Sequence, residues 1–284
     1  NSIDLGWTNG SAGATNWVIE YGLPGFTLGT GTAVSATTNP FTVPGLQPNT
    51  TYEFYVAEVC PGGADSSNFA GPATSITGQI PVTTFPYLQD WENGQGGWTI
   101  ANGSATNQWV IGSATSNGSG TQALYISNDN GVSNAYNVSS TSIVHAYRDF
   151  QIPTGSAVID LSFDWQALAE ACCDYLRVWV VPTNFVPTPG SLITATGSAP
   201  TGRIQLGGNF NQSATWNSEL FTLPPVYDGQ SFRLVLEWRN DGSIGTMPSG
   251  AFDNIAINLS NCPAPFNVAV TTLTNSADVT WTPA

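Results

Sequence analysis

Residues able to do acid–base or nucleophilic chemistry are few in this chain, and their spacing assembles no catalytic set. The one histidine, His145, lies in the strand-like run Ile143-Val-His-Ala-Tyr147, where a structural or solvent-facing imidazole is expected. A single histidine builds no multi-histidine zinc cage, no C-x-x-C occurs, and no serine stands in a G-x-S-x-G elbow. Glycoside hydrolysis needs two carboxylates facing across a cleft. Glu170 with Asp174, and Glu237 with Asp241, are pairs of the right type, but spacing alone does not face them across one. The expectation is a protein that is not an enzyme.

Two other constellations have chemical character. Adjacent Cys172 and Cys173 can close a vicinal disulfide, stay reduced, or find separate partners. No other cysteine lies in the same segment, which favours the vicinal ring. Trp238-Arg239-Asn240-Asp241 combines an aromatic face that could stack on a sugar ring with three side chains that could hydrogen-bond its hydroxyls. These four are the candidate glycan contacts. Most of the neighbouring tryptophans, Trp98, Trp109, Trp165, Trp179 and Trp216, are expected to fill a core instead.

The elements that would position these residues are strands. Only 8% of residues are charged, lysine is absent, and all five cations are arginine. Gly, Ser, Thr, Asn and Pro fill the connections, while Val, Ile, Phe, Tyr and Trp fill the apolar runs, which is all-β usage. The length suits two to three domains, each large enough for its own core. A net charge of −14 argues against nucleic acid and anionic membrane surfaces, while suiting a secreted protein and divalent cations. Nothing in the sequence reads as a membrane-inserting segment, and four cysteines are compatible with an oxidising compartment.

Asn275-Ser-Ala-Asp-Val-Thr-Trp-Thr-Pro-Ala284 lies over Asn1-Ser-Ile-Asp-Leu-Gly-Trp-Thr-Asn-Gly10, a spacing of 275 − 1 = 274 residues. Ala277 and Val279 stay apolar like Ile3 and Leu5. So long a period implies whole domains strung in tandem, with a diverged copy of residues 11–60 expected after residue 284.

Three segments follow. In residues 1–83, Ile3, Leu5 and Trp7 alternate inward, Trp17-Val-Ile-Glu-Tyr21 forms a second strand, and Leu46-x-Pro48-x-Thr50-x-Tyr52 has the spacing of a tyrosine corner. This segment resembles a fibronectin type III domain whose first strand is missing. Residues 84–261 read as many short strands, among them Trp98–Ile100, Ala123–Ser127, Ile143–Phe150, Ala157–Trp165, Tyr175–Val181 and Phe232–Trp238. Two stacked antiparallel sheets, a jelly roll, accommodate them. Residues 262–284 open a further fibronectin-like domain at Cys262-Pro-Ala-Pro265.

The landmarks Asp90-Trp-Glu92-Asn-Gly94, Trp98, Trp109, Leu161-Ser-Phe-Asp-Trp165, Asp174-Tyr-Leu-Arg-Val-Trp179 and Ala251-Phe-Asp253-Asn-Ile255 follow one another in an informative order. The middle segment resembles the MAM-like jelly rolls of cleaved-adhesin domains, which alternate with fibronectin type III domains in large Bacteroidota surface adhesins. That resemblance implies one calcium held by Glu92 with Asp90 beside it, the Asn128-Asp129 turn, and Asp253. Calcium takes six to eight hard oxygens, which these residues supply. It also implies that the opening cysteine pairs with one ending the sixth strand, so that Cys60 and Cys262, in different domains, do not pair within one copy.

The expected function is a non-catalytic repeat unit of a large secreted cell-surface adhesin or filament. Its partners would be neighbouring repeats of the same chain and glycans or cell-surface polysaccharide. A carbohydrate-binding accessory region of a secreted polysaccharide-degrading enzyme is the alternative. A pilus-like polymer completed by strand addition is disfavoured, because a donor equivalent to the Trp7 strand would be redundant.

Overall fold

A computed structural model describes residues 1–60, 63, 65–262, 266–272, 274 and 276–282. Pro263-Ala-Pro265 of the expected opening run, and Asn275 of the terminal overlap, lie outside the described residues. The chain is all-β and divides into two compact units, Asn1–Ile80 and Pro81–Ala284. No described helix is long and apolar enough to cross a membrane.

The first unit contains β1 (Ser2–Leu5), β2 (Trp17–Gly22), β3 (Thr32–Ala36), β4 (Phe41–Pro44), β5 (Thr51–Glu58) and β6 (Ala70–Ile76). One sheet is β1-β4, and the other has the order β3-β2-β5-β6. Alternation drives Ile3 and Leu5 of β1, Trp17 and Ile19 of β2, and Phe54 of β5 into one apolar cluster with Val43 and Leu46. Each such side chain, fully buried, stabilises by about 1.5–3 kcal/mol. The Tyr52 hydroxyl oxygen accepts a hydrogen bond from the Gln47 N–H five residues upstream at 3.1 Å, tying the turn to β5.

The second unit begins with β7 (Tyr87–Gln89), β8 (Thr99–Ala101), β9 (Gln108–Gly112), β10 (Ala123–Ser127) and β11 (Ser142–Gln151). It continues with β12 (Val158–Ala167), β13 (Tyr175–Val181), β14 (Ile204–Phe210), β15 (Ser213–Thr222), β16 (Ser231–Asn240) and β17 (Ala251–Ser260). One sheet has the order β15-β12-β17-β10-β9, with β7 also on β17, and the other β14-β13-β16-β11-β8. All assigned strand pairs are antiparallel. Between the sheets, β12 contributes Ile159, Leu161, Phe163, Trp165 and Ala167, every second residue, and β16 contributes Phe232, Leu234, Leu236 and Trp238. That period of two is the sequence pattern of a strand with one face on a core.

The opposite face of β16 is buried as well. Tyr147, Trp179, Val181 and Val235 form a second cluster with Ile193, from the connection that follows β13. Ile193 donates its N–H to Glu237 Oε2 at 2.8 Å, and the indole N–H of Trp179 donates to Oε1 at 3.2 Å. His145 Nε2 lies 3.2 Å from Glu237 Oε2 with both side chains fully enclosed, so the lone histidine belongs to a structural network.

After β17 come β18 (Phe266–Thr272) and β19 (Ala277–Thr282), paired as a two-stranded sheet. Val270 and Val279 face each other across this pair and are 62% and 51% exposed.

Candidate functional site

The acidic site grows from a gap in the edge pairing of β17. Along that edge β10 covers Ala251 and Phe252, and β7 covers Ile255 to Ile257, leaving Asp253 and Asn254 between them. Across the other edge Asp164 of β12 lies directly opposite Asp253. A register shift between Ser162 and Asp164 accompanies Asn254 in the left-handed region at φ 47°. Such a bulge re-aims side chains locally. Asp90 follows the last residue of β7, so an acidic residue next to β7 and one on each of β12 and β17 lie near this gap.

The segment 116–122 closes over this gap. Asn117 donates its N–H to Asp253 Oδ2 at 3.3 Å and its amide N–H to Asp164, which also accepts from the Asn254 amide at 2.9 Å. Glu92 anchors the end of the segment by accepting from Thr121 N, Gln122 N and the Thr121 hydroxyl at 2.7, 2.6 and 2.9 Å. At Gly120 a Cβ would fall 2.4 Å from Glu92 Oε1 and 2.8 Å from its Cδ, so a larger residue there would push the Glu92 carboxylate aside. Trp91, between the two acids, holds φ 62° with its side chain wholly buried. A bulky residue in that region costs on the order of 1–3 kcal/mol, offset here by indole burial against Trp98.

The electrostatics distinguish these carboxylates. Burial, reinforced by Asp164 and Asp90, pushes the Asp253 carboxyl up to about 6 against the hydrogen bonds from Asn117 and Asn254. Both charged neighbours of this enclosed group are anions. The backbone N–H groups of Gln122 and Thr121 hold Glu92 below its usual range. A buried carboxylate with two others nearby and the oxygens of Asn117, Asn254 and Ser119 adjacent supplies donors of the type a hard cation takes, although the oxygens of Asp90, Asp164 and Asp253 do not all lie within 4.8 Å of one another. Asp164 was not selected from sequence, because in Leu161-Ser-Phe-Asp-Trp165 it reads as an ordinary outward polar residue.

The structure does not bring Asn128 and Asp129 to this gap. They follow β10 at the end away from Thr121 and Gln122, and its five residues put roughly 16 Å between its ends at about 3.3 Å per residue. Asp129 is occupied in its own turn, accepting from the Ser127 hydroxyl, and from the Ser133 N–H and hydroxyl. Those bonds, the hydroxyls foremost, hold its carboxyl down to about 2.

A second acidic group joins Glu170, Asp174 and Asp241, whose carboxylate oxygens lie within 4.8 Å of one another. Asp174 accepts from the Tyr136 hydroxyl at 2.6 Å and from Asp241 N at 2.9 Å. Burial raises both Glu170 and Asp174, with the neighbouring carboxylates adding to it and Arg239 opposing it. Beside this group Cys172 and Cys173 are joined by a disulfide, which leaves no thiolate for a metal. Asn211 Nδ2 donates to the carbonyls of Glu170, Ala171 and Asp174 at 2.6, 3.3 and 3.1 Å, gripping the turn that carries the disulfide.

The candidate glycan contacts are placed differently from expectation. Trp238 is fully buried, edge-on to Tyr136, and Asn240 is also fully buried, donating to Ser140 O at 2.7 Å. Neither can touch a sugar. Arg239 donates to the Cys173 carbonyl, and Asp241 accepts from the Ser243 N–H and hydroxyl in an exposed turn. None of the four lines the open cavity of about 570 Å³ beside them, but Asn240 and Asp241 bond to Ser140 and Thr141 on its wall, whose lining also includes Asn102, Ser104, Thr106 and Ser142. Thr141 Oγ1 donates to the Asp241 carbonyl at 2.9 Å. Trp216 is the tryptophan of this unit that is not buried, among those whose side chains are described.

No family model matches the chain, and no curated protein matches it. Among solved structures, the chain aligns with a carbohydrate-binding module in complex with beta-1,4-galactotriose at 11% identity and TM-score 0.39, covering 62% of this chain and 100% of that one. A carbohydrate-binding module of the beta-sandwich superfamily aligns at 16% identity and TM-score 0.37, over 86% of this chain and 84% of its own. The cleaved-adhesin domain of Lys-gingipain from Porphyromonas gingivalis aligns at 17% identity and TM-score 0.36, over 62% and 99%. Likeness at these scores carries no functional argument, so function has to be read from the chain's own residues.

Proposed function

We propose that the chain is one repeat unit of a large secreted surface adhesin or filament, non-catalytic and extracellular. Residues 1–83 form a fibronectin type III-like spacer, residues 84–261 a MAM-like jelly roll, and residues 262–284 the start of the next spacer. One observation carries this reading. Leu5 is 9% exposed in the first unit while its equivalent Val279 is 51% exposed on β19, and Ile3 is buried while its equivalent Ala277 is exposed. The same strand occurs twice, once with a core to cover it and once without.

Calcium is the proposed ligand of the gap, held by Asp90, Asp164 and Asp253 with Glu92 fixing the covering segment. Bound there, it supplies the positive charge that three anionic side chains lack and ties three strands and one loop together. Glycan contact is assigned to the cavity walled by 102–106 and 140–143, whose hydroxyls and amides suit sugar hydroxyls. That cavity equally suits a carbohydrate-binding accessory region of a secreted enzyme, which remains the second reading.

Extending the chain beyond Ala284 with a copy of residues 11–80 tests the repeat assignment. The amides of Asp278 to Thr280 are expected to gain exchange protection on the order of a hundredfold or more, with a further unfolding transition. Unchanged exchange in a folded extended chain would contradict the repeat.

A further inference from the structure

The turn between β12 and β13 carries a disulfide that joins no distant segments. Cys172 and Cys173 are bonded to each other, and Cys172 is exposed. A bridge between neighbours closes the shortest possible loop, so it removes little chain entropy from the unfolded state. The turn is held by other means. Asn211 Nδ2 bonds the carbonyls of Glu170, Ala171 and Asp174, Arg239 bonds that of Cys173, and Glu170 and Asp174 bridge the two arms. Ala169 and Thr246 exchange both backbone hydrogen bonds at 3.0 and 3.1 Å, fixing the turn to the connection after β16. An accessible bridge that the surrounding structure does not need is the readily reduced kind.

Reduction would uncover a set of metal ligands. The two sulfurs and a Glu170 carboxylate oxygen all lie within 4.8 Å of one another. Around one tetrahedral zinc, with bonds of about 2.0–2.3 Å, ligand atoms stand about 3.5–3.8 Å apart, which is a small adjustment. Glu170 Oε2 is enclosed without a hydrogen-bond partner, although the residue as a whole is only half-buried. A buried carboxylate oxygen that no donor reaches is one that a cation would satisfy. Arg239, bonded to the Cys173 carbonyl, brings positive charge to the turn, which favours thiolate over thiol.

We propose that Cys172–Cys173 is a redox gate on a thiophilic metal site. Oxidised, the turn offers no thiolate. Reduced, Cys172 Sγ, Cys173 Sγ and Glu170 take a soft divalent cation of the zinc class, with a fourth position for water. The reductant is a low-molecular-weight thiol. Two thiol molecules give two electrons and two protons to the S–S bond, which becomes two S–H groups, and leave joined as their own disulfide. Both protons depart as the thiolates take the ion. Reoxidation by a small disulfide re-forms the S–S bond, turns that disulfide into two thiolates and releases the ion. Calcium, which takes oxygen ligands, is no competitor for the sulfur pair.

The chelator-stripped 284-residue chain with Cys60→Ser and Cys262→Ser, which removes the other two thiols, tests this. Reduced with a phosphine and titrated with cobalt(II) under nitrogen, it should bind one equivalent with a thiolate-to-cobalt absorption band, which zinc then bleaches. An all-oxygen site gives no such band, so cobalt in the acidic gap does not mimic it. The oxidised chain should show no band, and a small disulfide added to the loaded chain should erase it and release the metal. Cys172→Ser should abolish the band. Glu170→Gln should keep it but weaken cobalt affinity at least roughly tenfold. Melting of the second unit should change little between the oxidised and reduced states. A reduced, folded chain without the band, unchanged affinity in Glu170→Gln, or a second unit that unfolds on reduction would overturn the gate.

Discussion

In calcium-free buffer the second unit is expected to melt at a higher temperature at pH 5 than at pH 7.5. Asp253's carboxyl is pushed up to about 6 in the folded protein, above its reference value of 3.8. Between those values the folded state keeps a proton that the unfolded state has released. Stability is therefore greatest at the low end of the window and declines as pH rises through about 6. The full shift corresponds to roughly 3 kcal/mol at about 1.4 kcal/mol per pKa unit, and about half of it, on the order of 1.5 kcal/mol or some 3–6 °C in a unit of this size, falls between pH 5 and 7.5. Glu92 and Asp129, both held below their ordinary values, keep their charge over this range and do not oppose it.

Saturating calcium should reverse the slope, because protons then compete with the ion for the same oxygens. A hundredfold excess over Kd stabilises by about 2.7 kcal/mol. Asp253→Asn separates the two effects. It should raise the melting temperature of the metal-free protein at pH 7.5 and remove most of the calcium response. Thermal scans of the two proteins at both pH values, with chelator and with calcium, check all four signs. A wild-type profile flat between pH 5 and 7.5 without metal would remove the electrostatic basis of the site.

The second large effect is expected at Arg233. It sits directly across from Asp149 in the β11–β16 pair, with Nε–Oδ1 at 2.7 Å and Nη2–Oδ2 at 2.9 Å, both side chains buried. Its third bond, Nη1 to the Phe185 carbonyl at 2.7 Å, fastens the connection that covers this face of the sheet. The guanidinium also lies 4.3 Å from the centre of the Tyr147 ring. Arg233→Met leaves Asp149 buried without its cation and should cost the second unit about 3–5 kcal/mol. Adding Asp149→Leu should recover most of that loss, since a buried pair often yields to apolar packing at little net cost. Urea unfolding followed by the second unit's tryptophan signal measures both. A single-variant loss under about 1 kcal/mol would show that the pair is more hydrated than its enclosure implies.

The fold was legible where strands are continuous apolar runs, as in Ala123–Ser127 and Tyr175–Val181, or alternate strictly, as in Val158–Ala167. Ala123–Ser127 and Tyr175–Val181 were read to the residue, and Ile143–Phe150 and Ala157–Trp165 to within two residues. β14 was missed because Ile204-Gln-Leu-Gly-Gly-Asn-Phe210 carries two glycines, and β7 because three residues show no period. Trp238 was misread as an exposed platform although the signal was present: it continues the Phe232, Leu234, Leu236 series that fills the core. In the acidic site, Asp90, Glu92 and Asp253 came from family resemblance. Asp164 enters only through a register shift, and Asn117 only through a loop of Ser, Asn and Gly, neither of which periodicity encodes. The Asn128-Asp129 turn has suitable oxygens at the wrong end of β10, and one-dimensional spacing does not separate the two ends.

The most direct measurement is a calorimetric calcium titration of the chelator-stripped chain alongside Asp253→Asn, Asp164→Asn and Asp129→Asn. One site is predicted in the wild type, retained in Asp129→Asn and lost or weakened roughly a hundredfold in Asp253→Asn and Asp164→Asn, since each removes a charged ligand from a small set. Binding that survives Asp253→Asn and disappears in Asp129→Asn, or no binding to the wild-type chain, would contradict the account.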